Sequence, residues 1–471
     1  MNRLKELFRQ TSGSAPESVT ALPGSASDRR YFRLRGKDGA TVVGVIGTSP
    51  QENRAFVALA RHFRAKGLPV PQVLAVSGDS TAYLQEDLGD EVLLSHLTPG
   101  RESGEYSARE MELLQKTMAW LPRFQFQGAE GLDWNLCYPQ PAFDGRLVDF
   151  DLNYFKYCFL KASGLEFNEF QLQEDFERLK GHLLEEDSNT FLYRDFQARN
   201  VMVRDGEPWF IDFQGGRRGP IYYDVASFIW QTRSHYPEAV KETLIRTYLQ
   251  ALQPFRKMEE PDFRSRLNLF VLFRTLQVLG AYGLQGLYKR KAQFLSPIPA
   301  TLQTLRGMLP LPDYPCLSDI LQRLSDLPLA QSEAQESGLQ VQVYSFSYRK
   351  GIPEDWSGNG GGYVFDCRAV HNPGRYERFR SLNGRDAEVI RFLEEDGEAG
   401  RFLESVYKLA DAHVERYLQR GFTRLQLCFG CTGGQHRSVY CAEHTARHLA
   451  EKFPEARIQL IHRELGIEEN L

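Results

Sequence analysis

FLYRDFQARNVMVRDGEPWFIDFQGGRRGPIYYDVASF, Phe191 to Phe228, is the stretch around which the rest of the chain is organised, with its core from Leu192 to Ala226. Arg194-Asp195 is followed by Asn200, with four residues between the aspartate and the asparagine. A short apolar run, Val201-Met202-Val203, then leads through Asp205-Gly206 to a second run, Trp209-Phe210-Ile211. Two such runs around an Asp-Gly pair predict a β-hairpin. Asn200 and Asp212 are each six residues from Gly206, so the hairpin is expected to set them face to face at its open end. An amide oxygen and a carboxylate are hard ligands of the kind Mg²⁺ takes, together with phosphate oxygens and water. Asp195, just upstream, is then placed to accept the proton of a hydroxyl attacking a γ-phosphate. Arg194 and Asp224 are expected to brace this loop. An Asp-x₄-Asn pair alone arises by chance in a chain this long; combined with the hairpin and a second aspartate it does not, and phosphoryl transfer is the chemistry it predicts.

A chain of 471 residues exceeds one ordinary core and predicts two or three domains. With 42% hydrophobic and 25% charged residues it has the composition of a soluble globular protein. A formal net charge of −4 argues against a nucleic-acid-binding body. No apolar run approaches the ~20 residues that span a bilayer, and Met1–Gly13 reads as a short amphipathic helix rather than a secretory signal. Seven scattered cysteines make no disulfide framework. These features predict a cytoplasmic protein without a membrane partner.

Upstream, Val19–Pro23, Tyr31–Leu34 and Thr41–Ile46 are strand-like. The small polar loop between the first two, Gly24 to Arg30, can lie over nucleotide phosphates through its backbone N–H groups, with Ser25 inside it and Arg29 or Arg30 adding charge. A plain hairpin loop explains the same residues. Protein kinases carry a phosphate-binding lysine on the third strand, and Thr41–Ile46 contains none. Ser49-Pro50-Gln51-Glu52 predicts a capped helix start, with Glu52 completing a capping box and the helix running to Lys66 before Gly67. Leu84 to Gly89, with Glu86 at its centre, is expected to link a β-rich lobe to a helical one. Helical periodicity covers Arg109–Phe126, Asp149–Leu184, Pro237–Leu252 and Asp262–Tyr288.

From about Val19 to Met308 the chain resembles the aminoglycoside phosphotransferase (choline kinase-like) family, and within it the AmgK branch of bacterial N-acetylmuramate/N-acetylglucosamine anomeric kinases. The matching text is Asp28–Arg33, Glu86–Gly89, Tyr193–Asn200 and Ile211–Gln214. The wider family usually has His-Gly-Asp at the loop; Tyr193-Arg194-Asp195 departs from that and agrees with the AmgK branch. The resemblance implies an α+β bilobal kinase-like fold and ATP-dependent phosphorylation of a small hydroxylated molecule. It makes Asp195 the base, puts Asn200 and Asp212 on Mg²⁺, and gives Ser25, Arg29, Arg30 and Glu86 to the nucleotide. The AmgK branch adds a sugar 1-phosphate as product.

Leu329–Gly338, LAQSEAQESG, reads as a linker. Beyond it, strands at Leu339–Phe346, Val364–Arg368, Leu425–Phe429 and Ile458–Ile461 alternate with helices at Phe402–Leu418 and from the glycine loop to Phe453, a small α/β domain. The loop Cys431-Thr432-Gly433-Gly434-Gln435-His436-Arg437-Ser438 lies at the end of a strand and the start of a helix, where α/β sheets bind ligands. A phosphate-bearing ligand is its first reading. Cys431 and Arg437, with five residues between them, also fit a cysteine-dependent phosphatase, with Asp366 as an acid the sequence cannot place. Cys428-x₂-Cys431 with Cys441-x₂-His444 imitates zinc spacing, although one pair lies in a strand and the other in a helix.

This region, about Leu339 to Ile467, resembles the C-terminal domain of the RNase adaptor RapZ, through Phe346–Pro353, Val364–Arg368, Asn372-Pro373 and Gly430–Tyr440. The resemblance implies binding of glucosamine 6-phosphate through Lys350, Thr432, Gly433, Gly434, His436, Arg437 and Ser438, with Lys350 standing where the family often has histidine. RapZ's own nucleotide-binding domain has no counterpart, and with it goes most of the case for RNase recruitment. The expected organisation is a kinase domain over 1–328, a linker over 329–338 and a sugar-phosphate domain over 339–471. Its expected partners are a sugar substrate and a sugar-phosphate ligand. Two other functions stay open: an adaptor with a degenerate kinase-like half, and an antibiotic or small-alcohol kinase with an unrelated appendage.

Overall fold

The computed structural model describes residues 1–22, 29–234, 236–289, 291–326, 338–353, 362–395 and 397–471. Ser25 and most of the 329–338 linker lie outside them. The chain divides into two compact units, 1–284 with 297–330, and 285–296 with 331–471.

The first unit opens on an antiparallel sheet of five strands: β1 (Ser18–Ala21), β2 (Arg30–Arg35), β3 (Thr41–Ile46), β4 (Val73–Val76) and β5 (Ala82–Glu86), in the order β1-β2-β3-β5-β4. The N-terminal helix Asn2–Ser12 buries Leu4, Leu7 and Phe8 against Phe32, Leu34 and Leu84 of this sheet. Gly44 of β3 makes room for it, since a Cβ there would come within 2.7 Å of Leu34 Cδ1 and 2.9 Å of Leu4 Cδ1. The helix Pro50–Ala65 starts at Ser49, whose hydroxyl accepts from Glu52 N–H. Only this half of the expected capping box forms, because the Glu52 carboxylate pairs with Arg29 at 3.0 Å. At the exit of β5, Arg33 forks onto Asp87 at 2.6 and 3.0 Å and fixes the link to the helical part.

The helices that follow are Ala108–Phe126, Gly145–Phe155, Glu169–Leu184, Glu238–Leu252 and Glu260–Tyr282. The periodicity over Asp149–Leu184 predicts one helical run, but the chain breaks it. Gly164 takes a left-handed φ of +74°, and Asn168 then caps a new helix by accepting from Phe170 and Gln171 N–H. Among the described residues one helix, Glu260–Tyr288, is long and apolar enough to cross a membrane, but most of its apolar window is buried, as in a core helix.

Between these helices lie β6 (Thr190–Leu192), the hairpin β7 (Val201–Arg204) and β8 (Glu207–Phe210), and β9 (Arg217–Gly219), which pairs with β6. An aromatic cluster ties this segment to the rest. Phe63 packs on Phe124, Phe191 and Phe213 with centroids 4.9–5.4 Å apart, and Phe56 stacks between Tyr83 and Phe213. These rings come from the helix Pro50–Ala65, strand β5, the helix Ala108–Phe126 and both flanks of the Asp195 loop, so the loop cannot shift without disturbing the core.

The second unit is a sheet of β10 (Gln340–Ser347), β11 (Gly362–Asp366), β12 (Arg424–Cys431), β13 (Arg457–His462) and β14 (Ile467–Asn470), in the order β11-β12-β10-β13-β14. The first four are parallel and β14 is antiparallel. The helix Glu398–Arg420 joins β11 to β12, and Arg437–Lys452 joins β12 to β13. Val341, Val343, Leu427, Phe429 and Leu460 form the centre of its core. Ile461 is therefore not in the closing strand: β14 reads Ile-Glu-Glu-Asn, too polar to announce itself by alternation. The helix Ala387–Glu394 was likewise not predicted.

Candidate active site

The loop that carries Asp195 is held from below by one carboxylate. Asp224, wholly buried on the helix Tyr222–Ile229, accepts from Tyr193 N–H at 2.7 Å and Arg194 N–H at 2.9 Å. Arg194 sits at φ +79°, a conformation costly for a residue with a Cβ. Its guanidinium pairs with buried Asp151 at 2.9 Å, and Tyr193 Oη donates to Ile211 O at 2.7 Å. Arg194 and Asp224, both expected to brace this loop, are thus brought together beside it, while Asp151 carries no spacing signal that the sequence could have offered.

At the open end of the hairpin, Asn200 Nδ2 donates to Asp195 O at 2.8 Å, which leaves its amide oxygen as an acceptor. The hairpin register differs from the expected one. Val201 faces Phe210, and Ile211 N–H donates to Asn200 O. Asp205 and Gly206 both have positive φ, +55° and +76°, so the turn is a two-residue one, symmetric about the bond between them rather than about Gly206. Asn200 thus faces Ile211, and Asp212 comes one residue later at φ +68°. Asp212 accepts from Gln214 Nε2 at 2.7 Å. Its acidity is weakened chiefly by desolvation and then by the charge of Asp195, with Gln214 and Arg29 acting the other way. A carboxylate whose ionisation is opposed by burial and by a neighbouring carboxylate, beside an amide oxygen, belongs to a donor set that fits a hard divalent cation.

Of Arg29 and Arg30, at the start of β2, the fold brings only Arg29 to these carboxylates. It is 5% exposed, pairs with Glu52, and lowers the proton affinity of Asp212. Its Nε has no hydrogen-bond acceptor among the described residues, and Nη2 meets Glu52 as an ion pair without hydrogen-bond geometry. Arg30 is exposed on β2. Glu86 lies elsewhere: it accepts from Gln72 N–H and from Arg204, the residue next to the hairpin turn. Arg204 is four residues along β7 from Asn200, about 13 Å at strand rise. Glu86 therefore marks the far end of the hairpin, and its side chain is already engaged by protein.

In the second unit the glycine loop leaves the carboxyl end of β12. Gly434 has φ +70°, and a Cβ would come within 2.4 Å of Glu464 Cγ and 2.8 Å of Ser347 N. Its N–H donates to Cys431 Sγ at 3.2 Å, and Ser438 Oγ lies 3.1 Å from the same sulfur. Thr432 O accepts from Ser347 Oγ. Gly433 stands in open space. His436 Nε2 donates to Phe379 O at 2.8 Å, so its ring faces that loop. Arg437 donates through one nitrogen to Arg368 O and Val370 O, while its Nε is buried with no partner among the described residues. Lys350 is exposed and pairs with Glu464 at 2.7 Å. The zinc spacing does not assemble: among the described residues no three His, Cys, Asp or Glu side chains are arranged to hold a metal ion. All seven cysteines are without a disulfide.

Comparison with known proteins divides the chain similarly. The phosphotransferase enzyme family model matches residues 18–261, and the RapZ C-terminal domain model matches 339–466. A nucleotide-binding protein of Acidithiobacillus ferrooxidans is 42% identical over 135 residues, 29% of this chain and 43% of that protein. One of Chromohalobacter salexigens is 34% identical over 142 residues, 30% of this chain and 45% of that protein. The chain thus spans less than half the length of these curated relatives. Among solved structures, amicoumacin kinase hAmiN in complex with AMP-PNP, Ca²⁺ and Ami is 12% identical, with 66% of this chain and 89% of that one covered at a TM-score of 0.43. A choline/ethanolamine kinase family protein from Mesorhizobium loti is 12% identical, with 68% and 98% covered at a TM-score of 0.45.

Burial raises the Asp224 carboxyl from 3.8 to about 7, against the pull of its two N–H donors. A carboxyl that binds its proton more tightly when folded stabilises fully at a pH below its unfolded value, and that contribution is lost as pH rises through the folded value. Thermal stability of the wild type should therefore fall between about pH 4 and 7 by a component that Asp224→Asn removes. Equal slopes for both proteins would show that Asp224 titrates normally.

Proposed function

Because the chain belongs to the phosphotransferase enzyme family, and so acts on hydroxyl groups, we propose that it transfers the γ-phosphoryl group of ATP to the anomeric hydroxyl of an N-acetylmuramate/N-acetylglucosamine-type amino sugar. The observation that carries this is the meeting of Asp195, Asn200, Asp212 and Arg29 at one end of the hairpin. Asp195 takes the proton of the sugar hydroxyl. Asn200 and Asp212 hold Mg²⁺, which when bound neutralises phosphate charge. Arg29, steadied by Glu52, meets the phosphate oxygens and does the work of the lysine missing from β3. The nucleoside extends toward the Glu86 end. The Tyr193-Arg194-Asp195 text supports the amino-sugar acceptor, as does the RapZ-like domain, to which we assign an amino-sugar phosphate such as glucosamine 6-phosphate. We place the protein in cytoplasmic recycling of peptidoglycan amino sugars, with a kinase domain over 1–328 and a ligand domain over 339–471. The intact base and metal positions favour this over an adaptor with a degenerate kinase half.

With ATP, Mg²⁺ and a panel of sugars, wild type should give a sugar 1-phosphate, and an analogue lacking the anomeric hydroxyl should not react. Asp195→Asn should slow transfer by ~10²–10⁴-fold, and Asp212→Ala should abolish it. Wild-type turnover by both variants would remove the assignment.

Arg29→Ala should weaken ATP binding while leaving adenosine binding unchanged; a charge-assisted bond of ~1.5–3 kcal/mol corresponds to about tenfold to a hundredfold in affinity. Equal losses for ATP and adenosine would mean that Arg29 serves the fold instead.

For the second unit, calorimetry should show glucosamine 6-phosphate binding to wild type and binding about tenfold to a hundredfold weaker by Arg437→Ala. No binding to wild type would exclude this ligand.

A further inference from the structure

The phosphate-binding loop of the second unit contains a group that a mere receptor does not need. Cys431 ends β12, and six residues later the helix Arg437–Lys452 begins. The Cys431 sulfur is surrounded by donors: Gly434 N–H at 3.2 Å and Ser438 Oγ at 3.1 Å, with Ser438 itself wholly buried. Burial works against ionisation of this thiol, yet the Ser438 and Gly434 hydrogen bonds and the Arg437 charge outweigh it and move its pKa below the ordinary value. Cys137, Cys158, Cys316 and Cys367 all shift upward. The loop thus eases ionisation of the sulfur that lies at the centre of the proposed anion site.

Easing the ionisation of this sulfur works against binding alone, because any thiolate formed beneath a phosphate would repel it. A hydroxyl or a methyl at this position would leave the backbone N–H groups and Arg437 free to hold the same ligand without the repulsion. A nucleophile explains the arrangement. Arg437 is 5% exposed, anchored by one nitrogen on Arg368 O and Val370 O, with Nε unpartnered among the described residues. Anchored in this way, the fork has an N–H left for a phosphate oxygen. The helix carries no acidic residue in its first turn and, among the described residues, no side-chain cap on its first N–H groups.

We propose that this loop is a phosphomonoesterase site, in which the Cys431 thiolate attacks the phosphorus of a bound phosphate ester while Arg437 and the loop N–H groups hold its oxygens. This rests on the reading of the loop as a phosphate site. The Sγ–P bond forms as the ester P–O bond breaks, and the departing alkoxide takes a proton from water, leaving hydroxide. Hydroxide then attacks phosphorus, the Sγ–P bond breaks, and inorganic phosphate leaves with the thiolate restored. The neighbouring strand β11 ends on Asp366, where an acid could serve the leaving group, but Arg368 forks onto its carboxylate at 2.7–3.1 Å and holds it ionised. The site therefore favours esters whose leaving oxygen departs without a proton, which makes p-nitrophenyl phosphate the probe.

The full chain, without ATP or added metal, is expected to release p-nitrophenol in a saturable reaction, and rapid quenching should trap one phosphoryl group on the Cys431 peptide. Cys431→Ser should lose both signals. In parallel, inorganic phosphate should slow alkylation of wild-type Cys431 by iodoacetamide. Protection by phosphate without hydrolysis would overturn the esterase and leave the phosphate site standing. Neither protection nor hydrolysis would remove both readings. Hydrolysis that persists in Cys431→Ser would place the activity elsewhere and overturn the proposal.

Discussion

A single buried carboxylate determines what the first unit can do. Asp224 spends both oxygens on consecutive backbone N–H groups, those of Tyr193 and Arg194. An unpaired buried amide costs about 1–3 kcal/mol, so Asp224 answers for two of them at once. It also holds Arg194 in a left-handed backbone that a non-glycine residue otherwise avoids. That turn sends the chain from β6 into the Asp195 loop, while the aromatic cluster around Phe63 and Phe213 closes on both flanks. Strain here persists because packing and hydrogen bonds over-determine the loop from two sides, as expected where a reacting group must be held in place.

The anion sites proposed for the two units rest on different physics. In the first unit Asp212 feels the charge of Asp195, so a phosphate would have to enter together with a cation. Arg29 supplies one fixed positive charge, and the donor set suits a second, mobile one. In the second unit the proposed anion would be met by peptide N–H groups at a helix start and by one arginine, without a cation. The glycines differ in purpose. Gly434 is needed because Glu464 and Ser347 leave no space for a side chain, while Gly433 is unhindered, so the packing of its neighbours does not require glycine there.

Most of the kinase-like fold was legible because its signals are local. Strand β3 was placed to the residue, and the hairpin followed from an Asp-Gly pair between two apolar runs. Counting from Gly206 alone shifts the hairpin register by one, because Asp205 also takes positive φ and shares the turn. The long helical run failed at Gly164 and Asn168, where a cap won over apolar periodicity. β14 was invisible because an edge strand of Glu and Asn has no buried face to alternate with. What lay beyond sequence reading was long-range pairing. Asp151 meets Arg194 from 43 residues away, and nothing in either neighbourhood announces it.

The Arg29–Glu52 pair shows how such long-range pairing changes a functional assignment. Ser49 and Glu52 carry the signature of a capping box, and the local reading makes Glu52 a cap. Ser49 alone meets the Glu52 N–H, which frees the carboxylate to take Arg29 across the fold. A lysine on β3 would offer a compact point charge with rotating donors. A guanidinium offers a planar fork that can pair with Glu52 through Nη2 while its Nε stays unpartnered and its charge acts on Asp212. A buried cation with a single carboxylate partner and unanswered N–H groups is costly in an empty site. The same groups answered by phosphate oxygens turn that cost into affinity, so the loss of lysine from β3 need not mean a degenerate enzyme.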